Sequence, residues 1–463
     1  MNTAPDIRST PGAPYPPGPG LLPRLLTGRA FRENPLDTLT ENARLYGDLV
    51  HFNGFQGHIY QFNHPALIGE IMVDYERRNR RVITMQRARV LLGDGLLTSE
   101  EPLHMRQRRL AAPAFHRQRI AAYGETIGGY AREITGRWQP GVADLHPQML
   151  MLALRIVGKC LFDINEESEA RGIADAVSAF MVNPPPAWVP FRLLEMLQKL
   201  PIGPVKKVQQ GIADLDAILY RMIAERRRSP GDRGDLLSML MSAEDTEAEA
   251  DGGDTRMSDK QVRDECLTVL LAGHETTANA LSFALWLLTQ HPEFQEGGHE
   301  EAVCVLGTRT PDAADYPNLR MAYMIFAEAM RLYPTVWVLG RSSGPEPYDF
   351  HGFTIEPGAT LLAPQIVVHR DPRFWDEPES FNPLRFAEEN KSTRPRFAYF
   401  PFGGGARQCI GEGLAWMEGT LVLATILRDW RLKPAPGEPA MLPMNPSVNL
   451  RPKHGVKLLL ERR

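Results

Sequence analysis

Ten residues, Phe402 to Gly411, read FGGGARQCIG and constrain the local geometry more tightly than any other stretch of this chain. Gly403, Gly404 and Gly405 permit a tight turn with positive φ, which residues carrying a Cβ resist. The run IGEGLAWMEGTLVLATILRDW follows as an apolar helix, so Cys409 lies near a helix N-terminus. Free backbone N–H groups and the positive end of the dipole stabilise an anion there. A lone cysteine after a glycine-rich turn also reads as a small core residue, and the rest of the chain must decide between the two.

The second constraint is Cys266 to Leu288, CLTVLLAGHETTANALSFALWLL, long enough to span a bilayer. His274, Glu275, Thr276, Thr277 and Asn279 occupy its middle, and placing them at a bilayer centre would cost about several kcal/mol. A helix buried inside a large domain is the better reading. Thr276 is placed to bond the carbonyl of Ala272 four residues back, and Gly273 is a weak point where the helix can kink and open a groove. In EAMRLYPT, Glu328 and Arg331 share a helix face whose neighbours are apolar, so the pair reads as buried and in need of further partners. Arg385 in FNPLRF is one candidate.

The chain has 463 residues and a net charge of −4, which argues against binding nucleic acid or an anionic membrane along its length. Cys160, Cys266, Cys304 and Cys409 are far apart with no C-x-x-C, so neither a zinc site nor a disulfide framework is indicated and a reducing compartment fits. No basic and apolar leader precedes PGAPYPPGPG, which reads as an extended surface segment without a membrane anchor. The expectation is a protein of the cytoplasm with no integral membrane segment. Residues 1–34 form the proline-rich segment and 35–463 one domain. Helix is expected at ENPLDTLTENARLYG, over Pro65 to Val73, and over most of Glu100 to Met241, and strand at Leu49 to Phe52, His58 to Phe62, Tyr348 to Ile355, Thr360 to Ala363 and Val456 to Leu460. The acidic stretch Glu244 to Asp254 reads as a solvated loop. Helices dominate and strands gather at the two ends, which gives a mainly α class with a minor β region (α+β).

Phe402, Gly405, Arg407, Cys409 and Gly411 fit F-x-x-G-x-R-x-C-x-G, which resembles the haem-binding loop of the cytochromes P450. AGHETT resembles that family's oxygen-activation motif, EAMR its E-x-x-R motif, and PLRF its downstream P-x-R-F motif, in the family order and over essentially the whole chain. The resemblance implies one mostly helical domain with haem b between two long helices. Cys409 would be the axial ligand of the haem iron, with Phe402 shielding the sulfur and Ala272 and Gly411 beside the ring. His104, Arg108, Arg341 and Arg407 would hold the propionates. Glu328, Arg331 and Arg385 would form a scaffold, while Leu267, Leu271, Val336, Trp337 and Val338 would line the substrate pocket, lidded by Phe180 to Phe191. His369-Arg370-Asp371-Pro372 matches the family without an evident chemistry and reads as a turn.

The implied reaction is monooxygenation of a lipophilic small molecule such as a fatty acid, terpenoid or polyketide. O2 is the co-substrate, and Glu275 and Thr276 are the catalytic pair that steers protons to it. The stretch after Cys409 is too short for a flavin or iron–sulfur domain, so a monomer drawing NAD(P)H electrons through a ferredoxin and its reductase, or a flavoprotein, is implied. Arg106, Arg109 and Arg117 are candidates to face that acidic donor. The closest look is to fatty-acid hydroxylase-like bacterial members. Two rivals are a peroxide-driven haem-thiolate peroxygenase, which typically lacks the Glu–Thr pair, and a non-catalytic haem sensor or carrier, which needs none.

Overall fold

A few helix starts in this chain are set by side chains that satisfy a free N–H group of the first turn. In the computed structural model, which describes residues 4–9, 13–19, 30–31, 33–54, 57–74, 78–164, 203–229, 231–245 and 255–463, Asn34 caps α1 (Pro35–Tyr46) by accepting from the Asp37 N–H. Ser258 and Gln261 form a reciprocal box at the start of α7 (Asp259–Gln290), the 32-residue helix predicted from its apolar run. Around it lie α2 (Leu103–Ala111), α3 (Arg117–Gly136), α4 (His146–Phe162), α5 (Gly203–Arg228) and α6 (Leu236–Ser242), then α8 (Pro292–Leu306), α9 (Arg320–Leu332) and α10 (Glu412–Asp429). α7 packs against α4, α5, α9 and α10, and its stretches Val262 to Leu270 and Thr277 to Thr289 are buried all round. That explains why the sequence shows no simple amphipathic stripe there. The expected Phe180 to Phe191 lid lies outside the described residues.

Strands from the two ends of the chain meet in one sheet. Its order is β1 (Leu49–Gly54), β2 (Gly57–Phe62), β8 (Thr360–Ala363), β5 (Leu339–Ser343) and β3 (Asn79–Arg81), antiparallel except where β2 runs parallel to β8. A second sheet joins β4 (Gly141–Asp144), β12 (Lys457–Arg462) and β9 (Trp430–Pro434). Two hairpins complete the β region, β6 (Tyr348–Phe350) with β7 (Phe353–Ile355), and β10 (Met444–Pro446) with β11 (Leu450–Pro452). The short strands β3, β4, β10 and β11 carry too few residues for a readable alternation, and long-range pairing alone selects them.

The proline-rich start is extended, as its composition dictates, and it is also docked. His51 N–H donates to the Pro17 carbonyl at 3.1 Å, Thr354 N–H to Pro14 at 3.1 Å and Asp48 N–H to Asp6 at 3.0 Å. Tyr15 stacks on His51 with ring centroids 4.5 Å apart. Gly18 presses on β1 so closely that a Cβ would lie 1.7 Å from the His51 carbonyl oxygen. The helix expected over Pro65 to Val73 is present, as an α-helix over Pro65–Gly69 continued by a π-helix over Glu70–Asp74. One further expectation is corrected. The acidic stretch after Glu244 is not all solvated: Asp245 is buried and accepts from Arg106 and Arg109 at 3.2 Å each. Those two arginines are therefore each paired with Asp245 within the chain.

Candidate active site

The cysteine loop is built as the glycines require. Gly403 and Gly405 have φ of +74° and +71°, left-handed values that cost other residues about 1–2 kcal/mol. Gly404 lies under Phe397, whose ring would be 2.5 Å from an added Cβ. The Cys409 N–H donates to the Phe402 carbonyl at 2.9 Å, which closes the loop, and α10 begins three residues on. The Gly411 N–H points at the Cys409 sulfur, and Glu412 and Arg108 act on it with opposite charge. Cys409 retains exposed surface, yet protein packed around the sulfur pushes the thiol up to about 11. An added Cβ on Gly411 would meet nothing nearer than 3.9 Å, so protein packing alone does not demand glycine there.

On α7 the pattern of exposure singles out one patch. Ala272 is exposed and Leu271, Gly273 and Thr276 are half-exposed, between stretches that are buried on every side. Ala272 and Thr276 are one turn apart and share a face. The Thr276 hydroxyl donates to the Ala272 carbonyl at 2.8 Å, the back-bond anticipated from spacing. The backbone from Asp259 to Gln290 nevertheless stays helical throughout. Glu275 is buried and accepts from the Asn449 side chain at 3.0 Å, a partner that no local sequence signal announces. His274 turns to the Leu270 carbonyl at 3.0 Å, and burial holds its imidazole below its ordinary value.

The cationic candidates gather around the cysteine loop. Arg108 donates to the Gln408 carbonyl at 2.7 Å, next to the cysteine. Arg407 donates to the Ser99 carbonyl at 2.9 Å and to Glu100 at 3.2 Å. His104 is buried against Glu101 at 2.9 Å, and burial, helped by Arg407, holds it down at about 4. Arg341 is buried directly opposite Arg81 on the neighbouring strand, a residue the sequence reading missed. Arg81 donates to the Leu96 carbonyl at 3.2 Å and Arg341 to the Gly340 carbonyl at 3.1 Å. Only the distant pairing of β3 with β5 makes this set visible.

Glu328 and Arg331 are wholly buried and paired fork to fork, both contacts 2.7 Å. Arg385 lies 3.4 Å from the same carboxylate. Arg331 also donates to the carbonyls of His369, Pro378 and Ser380. His369, read from sequence as part of a plain turn, is a strut. Its ring accepts from the Phe400 N–H at 3.0 Å, just before the cysteine loop.

Two pocket assignments are corrected. Leu267 has no exposed surface and belongs to the main core. Trp337 is buried and donates its indole N–H to the Ser447 carbonyl at 3.1 Å, anchoring the β10–β11 turn. Leu271, Val336 and Val338 remain partly exposed and free to line a pocket.

Among the described residues no group of three or more His, Cys, Asp or Glu side chains could hold a bare metal ion. One exposed cysteine, a glycine cradle beside it and a set of cations around it fit instead an iron that brings its own equatorial ligands and carries acidic substituents, as iron protoporphyrin does.

Comparison with known proteins agrees with this chemistry. The model of the Cytochrome P450 family matches residues 16–460. The chain is 35% identical to cyclooctatin synthase of Streptomyces melanosporofaciens over 90% of each chain. It is 31% identical to pentalenene oxygenase of Streptomyces avermitilis over 90% of this chain and 91% of that one. Among solved structures, that of the cytochrome P450DA heme domain superposes with a TM-score of 0.83 at 28% identity, covering 97% of this chain and 98% of the other.

Proposed function

This chain belongs to the cytochrome P450 family, and from that premise we propose that it inserts one oxygen atom of O2 into a C–H or C=C bond of a terpenoid, drawing electrons from NAD(P)H through a separate redox partner in the cytoplasm. The class of enzyme is an oxidoreductase that incorporates molecular oxygen. Relatives named for cyclooctatin and pentalenene favour a terpenoid over the fatty acids and polyketides that the same apolar lining would admit.

The observation that carries the reading is the exposed Cys409 beside the α10 N-terminus, in a loop where an added Cβ on Gly411 would meet no protein atom nearer than 3.9 Å. Bound haem supplies the redox chemistry that activates dioxygen and oxidises the substrate. In this reading the Cys409 sulfur would hold the iron, with the Gly411 N–H stabilising its charge. Arg341, Arg407 and His104 bind the propionates, and Arg108 steadies the loop through Gln408. The half-exposed Thr276, whose hydroxyl rests on the Ala272 carbonyl, supplies the hydroxyl that would donate towards bound dioxygen. Glu275 replenishes its proton from solvent. In hydroxylation a C–H bond becomes C–OH and the second oxygen atom leaves as water, with two electrons and two protons supplied from outside the chain.

The test is a reduced carbon monoxide difference spectrum followed by turnover with a surrogate ferredoxin and reductase on a panel of cyclic terpenoids. A strongly red-shifted Soret band and donor-dependent product are expected. Product formed with hydrogen peroxide but with no electron donor would favour a peroxygenase, and a haem protein inert under both regimes a carrier.

A further inference from the structure

We infer that Asn449, in the turn between β10 and β11, is a positioning residue that holds the Glu275 carboxylate for proton delivery; this rests on the proposed role of Glu275. The Asn449 amide nitrogen donates to a Glu275 carboxylate oxygen at 3.0 Å across 174 positions of sequence. Glu275 is only 6% exposed, so its carboxylate is costly to bury without a donor.

The turn that carries Asn449 is held from both sides. Leu450 N–H donates to the Thr335 carbonyl at 2.8 Å, Trp337 donates to the Ser447 carbonyl at 3.1 Å, and the Ser447 N–H reaches the Asn449 carbonyl at 3.2 Å. Leu450 itself is fully buried. The amide is therefore presented from a fixed backbone. Neighbouring polar groups on α7 are directed elsewhere: His274 to Leu270, and Asn279, one turn on, to His146 at 2.9 Å.

Chemistry favours an amide in this place. A guanidinium would lock the carboxylate in a buried ion pair whose breaking costs far more than one hydrogen bond. A neutral donor fixes the carboxylate at rest and still lets it leave when a proton must move. The hairpin thus sets both the anchor at Trp337 and the posture of the acid.

The experiment uses purified haem-loaded enzyme with one substrate and one donor pair. Product and hydrogen peroxide per NAD(P)H consumed are compared among wild type, Asn449→Leu, Asn449→Gln, Glu275→Gln and the double variant Asn449→Leu/Glu275→Gln. Asn449→Leu keeps the volume and removes the donor. Its product yield is expected to fall about tenfold, the scale of one hydrogen bond to a charged group, with peroxide in its place and substrate affinity within about twofold of wild type. Asn449→Gln should recover part of the yield. In the Glu275→Gln background the Asn449 change should cost nothing more, which a general packing defect would not reproduce. Should Asn449→Leu load haem poorly, Asn449→Ser, with a hydroxyl too short to reach, replaces it with the same expected outcome. Unchanged yield in the donorless variant, or a full additional loss in the double variant, overturns the inference. A wild type that forms no product with any donor overturns the monooxygenase reading along with it, whereas a well-coupled wild type beside an indifferent Asn449 variant overturns this inference alone.

Discussion

Replacing Arg331 by methionine should bring the folded state close to the limit of its stability. The guanidinium is wholly buried and donates twice to Glu328 and once each to His369, Pro378 and Ser380. Methionine fills much of the volume and supplies none of these bonds. Stranding one partner of a buried ion pair costs about 3–5 kcal/mol, and each carbonyl left unsatisfied about 1–3 kcal/mol more. Glu328 keeps the Asn382 N–H at 2.9 Å and Arg385 nearby, and the carbonyls can relax, so these costs do not simply add. A net loss of about 4–8 kcal/mol is expected against a total of about 5–15 kcal/mol for an ordinary folded protein. The assay is urea denaturation followed by circular dichroism, with haem content measured on the same preparations. Arg331→Met should be recovered with little haem and a much lower midpoint. Arg331→Lys, which keeps charge but not the fork, should fall between. Adding Glu328→Leu to Arg331→Met should cost less than the two changes separately, because neither member of the fork-to-fork pair is then left buried without the other. A haem-loaded Arg331→Met within about 1 kcal/mol of wild type would refute the reasoning.

Cys409→Ser should lose the red-shifted carbon monoxide band, and retention of that band would remove the cysteine from ligation. Thr276→Ala should still bind substrate and consume NAD(P)H while product gives way to hydrogen peroxide, with a loss on the order of 10²-fold or more in product-forming rate; unchanged coupling would exclude Thr276. Stability should fall in mild acid. Burial holds His51 and His104 down at about 4 and His369 at about 3, so the unfolded chain takes up protons first. The denaturation midpoint should therefore drop as pH goes from about 6.5 towards 4, where each ring can contribute up to about 3 kcal/mol. A His369→Gln variant should show a shallower drop, and an identical slope would mean that this ring already protonates freely.

The sequence by itself determined the elements whose information is local. The glycine loop, the apolar helix α10 and the long helix α7 are readable because turn geometry and continuous hydrophobicity act over neighbouring residues. The back-bond of Thr276 to Ala272 and the Glu328–Arg331 pair follow from helical spacing alone. What the tertiary structure decided is everything that spans the chain. Whether Trp337 and Leu267 line a pocket or fill a core depends on what packs against them, which composition does not encode. Arg106 and Arg109 each pair with Asp245. Arg81 meets Arg341, His369 meets Phe400 and Asn449 meets Glu275 only because strands and turns far apart in sequence are brought together. The physical reason is range: backbone propensity and side-chain periodicity act over about one helical turn, whereas the partner of a buried polar group is chosen by the packing of the whole molecule.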